Sequence, residues 1–125
     1  MDHPPVRGFK SLIAWQKAME LARLAYAQTE EFPKSETFGL RMQIRRSVVS
    51  VESHIAEGHG RLNDAEMRKG LGSGRAALNE FETQTELADS LGFFQTGAAE
   101  TLLDLSSEVG KLINGLIGVL DPASR

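Results

Sequence analysis

The chain has 125 residues, of which 41% are hydrophobic and 25% charged, and its formal net charge is −3 at neutral pH. A chain of this length buries enough apolar surface for one domain, so we expect a single domain over residues 1–125. The absence of cysteine excludes disulfides, cysteine-ligated metals and thiol nucleophiles. No stretch approaches the roughly 18 apolar residues of a membrane span, and the first residues, Met1-Asp2-His3-Pro4-Pro5, lack the basic region and apolar run of a secretory signal. We therefore expect a cytoplasmic protein with no membrane segment.

Hydrophobic residues recur at steps of three and four along the whole chain, and no strand-like alternation interrupts them. This periodicity predicts four helices, at about residues 12–31, 36–57, 64–91 and 97–120. The connections between them are short, which favours antiparallel packing of consecutive helices. The sequence thus predicts an all-α protein, an up-down-up-down antiparallel four-helix bundle.

Capping and breaking residues set the expected helix boundaries. Phe32-Pro33 ends the first helix, and Ser35 is the expected N-cap of the second. The motif Gly58-His59-Gly60 is expected to end the second helix through a glycine C-cap. Asn63 begins the third, with Glu66 completing a capping box, and Gly92 follows its end.

Two helices are apolar over more surface than one neighbouring helix covers. Helix 2 carries one stripe of Leu40, Ile44, Val48, Val51 and Ile55 and a separate one of Phe38, Met42, Val49 and Ala56. Helix 4 carries the heptad series Leu102, Leu105, Val109, Leu112, Leu116 and Val119, widened by Leu103, Ile113, Ile117 and Leu120. We expect this surplus to form subunit contacts in a homo-oligomer. The alternative is a broad arc that faces the core of one protomer.

Three charged residues of helix 2, Arg41, Arg45 and Glu52, lie in the narrow sector between its two stripes. Charges that become covered in this way must be paired. Helix 3 offers Glu82 beside its own apolar face, so we predict a structural Arg–Glu network across the helices. A ligand or nucleic-acid role for these arginines is the alternative.

The opposite sector of helix 2 is polar and continues into the following turn. Its candidate contact residues for a nucleic acid or a partner are Gln43, Arg46, Ser50, His54 and Arg61. Hydroxyl, amide, imidazole and guanidinium groups bind phosphates and ribose 2′-hydroxyls without reading base sequence. The alternative is a solvated helix face with a polar cap.

No arrangement typical of an enzyme is present. Residues 54–59 hold two histidines and a glutamate, but bundle metal sites use Glu-x-x-His pairs from two helices, so we expect no metal and no cofactor. The Gly-Ser-Gly at residues 72–74 lies inside a predicted helix and is expected to be a close-packing spot, not a nucleophile elbow. Trp15 and Tyr26 fall in the apolar stripe of helix 1, so we expect them to pack in the core. We predict a non-enzymatic protein.

Several motifs occur in order and cover roughly residues 8–120. They are Phe9, Leu12, Trp15-Gln16-Lys17-Ala18, Phe32-Pro33-Lys34, Phe38-Gly39-Leu40, Gln43-Ile44-Arg45-Arg46, Ile55-Ala56-Glu57-Gly58, Gly60-Arg61, Glu82-Thr83-Gln84 and Leu91-Gly92. In these the chain resembles the four helix bundle proteins, or S23-type ribosomal proteins, whose founding members are encoded by intervening sequences inside 23S ribosomal RNA genes. Glu52 and His54 stand where that family usually has Pro and Asn, and the loss of proline predicts a straight helix 2.

The resemblance implies a helical bundle that assembles as a homopentamer. It also implies a more distant similarity to the accessory variability determinant protein of diversity-generating retroelements, a pentamer that binds a reverse transcriptase and nucleic acid. The leading hypothesis is therefore an oligomeric accessory protein that binds RNA or an RNA-associated protein. The alternative is a protein–protein interaction scaffold that never meets nucleic acid.

Overall fold

A computed structural model of the chain describes residues 8–61 and 63–124, and all regular structure in this part is helical. The four long helices are α1 (Ile13–Gln28), α2 (Leu40–Gly60), α3 (Asp64–Ser90) and α4 (Ala98–Leu120). Within the described part, α1 and α3 each pack against α2 and α4, while no Cα atoms of the diagonal pairs come within 8 Å of each other. The predicted all-α four-helix bundle is confirmed. None of these helices combines the length and hydropathy required to cross a membrane.

Consecutive helices run antiparallel, as contacts at both ends of α2 and α3 demonstrate. Ser47 donates a hydrogen bond of 2.7 Å to Gln84 at one end, and Gly58 lies against Gly70 at the other. The α2 helix is continuous through Glu52, the position where the related proteins usually have proline.

The first turn of α2 differs from the prediction. The helix begins at Leu40, and Lys34–Glu36 form a separate 3-10 turn, so Ser35 is not its N-cap. Instead the carboxylate of Glu36 accepts a hydrogen bond of 2.9 Å from the backbone amide of Leu40. The side chain of Glu36 is longer than that of a serine and reaches the Leu40 amide, which has no partner inside the helix.

The glycine C-cap predicted for α2 is also wrong, whereas the α3 cap is confirmed. The helix runs through Gly58 to Gly60 and ends on Arg61 in a right-handed conformation. Asn63 accepts a hydrogen bond of 2.9 Å from the amide of Glu66, the bond expected of an N-cap.

Gly58 serves packing, because the two helices nearly touch there. A Cβ atom added at Gly58 would lie 2.8 Å from the Cα of Gly70, and one at Gly70 would lie 2.6 Å from the Cα of Gly58. One turn further along α3, a Cβ at Gly74 would approach the carbonyl of Val51 at 3.2 Å. The close-packing role expected of residues 72–74 therefore belongs to Gly74, since the space around Gly72 is open.

The first apolar stripe of α2 enters the core, and the second does not. The stripe Leu40, Ile44, Val48, Val51 and Ile55 is buried throughout. In the second stripe Phe38 is 83% exposed and Val49 is 41% exposed. No other helix of the bundle therefore covers Phe38 and Val49.

Most residues of the broad apolar arc of α4 pack in the core of the bundle or at its edge. Ile113 is fully buried, and Ile117 and Leu120 pack at the edge of the core. Val119 is the exception among the heptad residues, with 68% of its surface exposed. The alternative interpretation, a wide core-facing arc, thus accounts for most of α4.

Of the two aromatic residues predicted in the core, only Trp15 packs against it. Trp15 is half-buried and meets Phe9 edge to face, with ring centroids 5.3 Å apart. Tyr26 is 44% exposed, and the guanidinium of Arg45 lies 4.4 Å from its ring centroid. The prediction for Tyr26 is wrong because its position in the periodic pattern faces the edge between α1 and α2.

Candidate functional site

The five residues predicted as a contact strip lie together in the groove between α2 and α3, called here the α2–α3 groove. They are Gln43, Arg46, Ser50, His54 and Arg61. Their spacing of three, four and seven residues keeps them on one side of α2, and the strip rises about 27 Å along the helix axis. The sequence therefore predicted the α2 wall of this groove.

The α3 wall of the groove is supplied by residues that sequence reasoning did not single out. Three open cavities of about 380, 430 and 160 Å³ follow one another along it. Ser50 and Glu80 line both of the first two, and His54 and Ser73 line both of the last two, so the groove is continuous. These α3 residues become visible only once the antiparallel register is known.

Charges of both signs line the groove. The cations are Arg46, Arg61 and Lys69, and the carboxylates are Glu57, Glu66 and Glu80. None of these groups takes part in an ion pair within the described residues, and both Arg46 and Arg61 are exposed. The two guanidinium groups are therefore available to a ligand.

The predicted arginine network exists, but its carboxylate is that of Glu30, in the turn just after α1. Arg41 and Arg45 each donate to the same oxygen of Glu30, at 3.2 Å. Arg45 also donates to the hydroxyl of Thr29 at 2.9 Å and to the carbonyl of Tyr26 at 3.0 Å. The expected pairing with Glu52 and Glu82 is wrong, since these arginines point toward the end of α1.

Glu82 and Glu52 have quite different surroundings. Glu82 accepts a hydrogen bond of 2.6 Å from the hydroxyl of Ser106 on α4. Glu52 is 6% exposed, and its Oε1 has no hydrogen-bond partner. Burial raises the pKa of Glu52 from 4.5 to about 8, although a bond to its own backbone amide and the charge of Arg23 act in the opposite direction.

A second pocket, which the sequence analysis did not assign to a function, opens between α1 and α2. Its volume is about 640 Å³, and we call it the aromatic pocket. Its lining is Tyr26, Thr37, Phe38, Arg41, Met42, Arg45, Arg46, Val49 and Ser50. The unpartnered second stripe of helix 2 was the sequence signal for it, but that signal did not reveal the neighbouring tyrosine and arginines.

Acidic and imidazole groups do not gather into a metal-binding arrangement in the described residues. No three side chains of His, Asp or Glu converge there on a common point that could hold an ion. His54 and Glu57 line the groove side by side, without a third ligand. The chemistry that the groove offers is hydrogen bonding and charge pairing.

A helical bundle with a polar groove along one helix pair is the class that these observations define. The sequence profile of the 23S rRNA-intervening sequence proteins matches residues 10–115, and the chain belongs to this family. The fold is similar to the crystal structure of a protein of unknown function from the S23 ribosomal protein family of Bacteroides thetaiotaomicron VPI-5482. That similarity has a TM-score of 0.74 and 24% sequence identity, and it covers 84% of this chain and 98% of the other. None of the curated proteins matches the sequence.

Proposed function

We propose that the protein is a non-enzymatic, oligomeric accessory protein of the cytoplasm that binds RNA, or an RNA-associated protein, through the α2–α3 groove. The observation that carries the proposal is the convergence of the strip residues into one continuous polar channel about 27 Å long. Family membership supports an RNA context, because the description of the family refers to an intervening sequence of 23S rRNA.

The groups in the groove suit a ribose-phosphate backbone better than base edges. Arg46 and Arg61 provide planar, charged donors at opposite ends of the strip, and guanidinium groups bind phosphate in two-point contacts. Ser50 and Ser73 add hydroxyls that exchange hydrogen bonds with 2′-hydroxyl groups. Glu57, Glu66 and Glu80 oppose a uniform phosphate coating, so we expect contact at particular positions and modest affinity.

The test is fluorescence anisotropy with a structured ribosomal RNA fragment and a DNA duplex of equal length, across a salt series. We expect Arg46→Glu with Arg61→Glu to weaken RNA binding at least about tenfold and to lower the salt slope by about two. Lys10→Glu with Lys34→Glu makes the same change in net charge on exposed residues outside the groove and should leave the slope unchanged. Equal losses in the two double variants, or no binding by the wild type at low salt, would contradict the proposal.

A protein-binding scaffold is the second candidate function, and the balance of charge in the groove is the observation that favours it. The acidic net charge of the chain repels polyanions, while the mixture of carboxylates and cations matches a polar protein surface. The protein would then be captured with a partner from native lysate, and nuclease treatment would not release that partner. Release by nuclease would favour the RNA proposal.

Self-association is the remaining part of the proposal, and we infer a homopentamer. An apolar cavity of about 350 Å³ lies between the start of α1 and the end of α4, where Ile13 is 58% exposed and Val119 is 68% exposed. Its lining carries one charged side chain, Lys111, and burial against another copy would remove an apolar patch from water.

Light scattering after gel filtration tests the assembly. We expect a mass of five chains for the wild type and a smaller species for Val119→Glu, because an unpaired carboxylate would be buried in the contact. Leu91→Glu changes another exposed apolar residue, at the end of α3 and outside this patch, and should preserve the assembly. A stable wild-type monomer would refute the assembly.

A further inference from the structure

The aromatic pocket combines an apolar floor with a cationic rim. Tyr26, Phe38, Met42 and Val49 supply its apolar lining, and Phe38 is 83% exposed. The rim consists of Arg41, Arg45 and Arg46. Tyr26, Phe38 and Val49 are all exposed and together form an apolar patch, and a contiguous exposed apolar patch marks an interaction site.

The positive charge of the rim exceeds what the protein itself neutralises. Glu30 is the carboxylate that pairs with Arg41 and Arg45, and Arg46 joins no ion pair among the described residues. The Nε atom of Arg41 is buried and has no hydrogen-bond partner. An acidic chain thus places three arginines around one apolar pocket, and Arg46 among them has no carboxylate partner in the described residues.

This combination indicates which occupant fits. A purely apolar partner would cover the guanidinium groups without satisfying them, and burying unpaired charge is costly. A nucleotide fits both parts of the pocket, because its base has a flat apolar face for the apolar lining and its phosphate is an anion for the arginines. The guanidinium of Arg45, held on Tyr26 at 4.4 Å, is itself a plane on which a base stacks.

The aromatic pocket adjoins the proposed RNA groove. Arg46 and Ser50 line both the pocket and the first cavity of the α2–α3 groove. A strand whose backbone follows the groove therefore reaches the pocket around one side of α2. A duplex keeps its bases stacked inside, so only an unpaired nucleotide can place a base there.

We propose that the aromatic pocket binds an unstacked base of single-stranded RNA, between Phe38 and the Arg45–Tyr26 pair, while the adjoining phosphates lie along Arg46 and the groove. This inference rests on the proposed RNA-binding function and adds the form of the RNA: a single-stranded segment or loop. Stacking accepts any base, so little sequence preference follows.

The experiment compares binding of a fluorescein-labelled single-stranded 12-mer RNA and a 12-base-pair RNA duplex by anisotropy. Phe38→Leu removes the aromatic face but keeps apolar volume at an exposed position, so the bundle should remain folded. We expect it to weaken single-strand binding at least about fivefold, the lower bound for one lost stacked base, and to leave duplex binding unchanged. Leu91→Ala is the matched control, since this exposed side chain lines neither the pocket nor the groove.

Each outcome separates the two proposals. Unchanged single-strand binding by Phe38→Leu, in a wild type that binds RNA, overturns the pocket but leaves the groove intact. A wild type that binds neither RNA overturns the proposed function, and the pocket assignment with it. If Phe38→Leu changes the mass measured by light scattering, the pocket is a contact between copies and the base assignment is wrong. Photocrosslinking of 4-thiouridine RNA to a peptide containing Phe38 or Tyr26 would support it directly.

Discussion

Replacing Glu52 by glutamine is expected to reduce the dependence of the protein's stability on pH. Glu52 is 6% exposed, its Oε1 has no partner, and burial raises its pKa from 4.5 to about 8. At neutral pH the folded protein therefore holds this carboxyl protonated, whereas the unfolded chain ionises it. Glutamine has nearly the same shape and carries no charge at any pH.

The raised pKa fixes the direction and the size of the effect. The contribution of the neutral carboxyl to stability is complete below pH 4.5 and is lost as the pH rises toward 8. Each pH unit in this window lowers the free energy of unfolding by about 1.4 kcal/mol. The loss by pH 7 is therefore about 3 kcal/mol, and above pH 8 it approaches roughly 5 kcal/mol.

Urea unfolding at a series of pH values, followed by the fluorescence of Trp15, measures this effect. The difference in unfolding free energy between Glu52→Gln and the wild type should be small at pH 5 and grow by several kcal/mol in favour of the variant by pH 8.5. Glu57→Gln, which removes an exposed carboxylate from the same helix, is the control and should show no such growth. A difference that stays constant over this range would refute a buried, protonated Glu52.

Two further predictions concern the helices that form the groove. Gly70→Ala should lower the free energy of unfolding by about 1 to 3 kcal/mol, because the added methyl group would collide with the backbone of Gly58. Gly72→Ala, two residues away in open space, should instead raise it by up to about 1 kcal/mol, and similar gains in both variants would show that the crossing is not tight. Asn63→Ala removes the N-cap bond to the Glu66 amide and should lower the thermal midpoint by the equivalent of about 1 kcal/mol. An unchanged midpoint would mean that another group caps α3.

The α2 side of the candidate site could be predicted from the sequence, but its α3 side and the aromatic pocket could not. Residues three and four positions apart share a face of any helix, so the spacing in the sequence was enough to predict the strip from Gln43 to Arg61. Which residues of α3 oppose it depends on the register, and the Gly58–Gly70 contact decides that register. Local spacing contains no information on how far one helix slides along another.

The carboxylate partners also depended on tertiary structure. Periodicity placed Arg45 and Glu52 on one side of α2, yet Arg45 bonds to Thr29 and Glu30 just after α1. The Oε1 of Glu52 has no hydrogen-bond partner. Long arginine side chains reach several carboxylates, and the choice among them follows from where the neighbouring helix ends.

The sequence by itself determined the four helices, their antiparallel order, the buried stripe of α2 and the Asn63 cap, because each depends on contacts within one helix or across one short connection. The tertiary structure decided that Tyr26 and Phe38 are exposed around a shared pocket. It also decided that Gly58 packs against α3 instead of capping α2, and that most of the apolar arc of α4 packs inside the bundle. These features are set by the distance and rotation between helices. Both follow from the fit of side chains on two surfaces, which the periodicity of either helix alone does not contain.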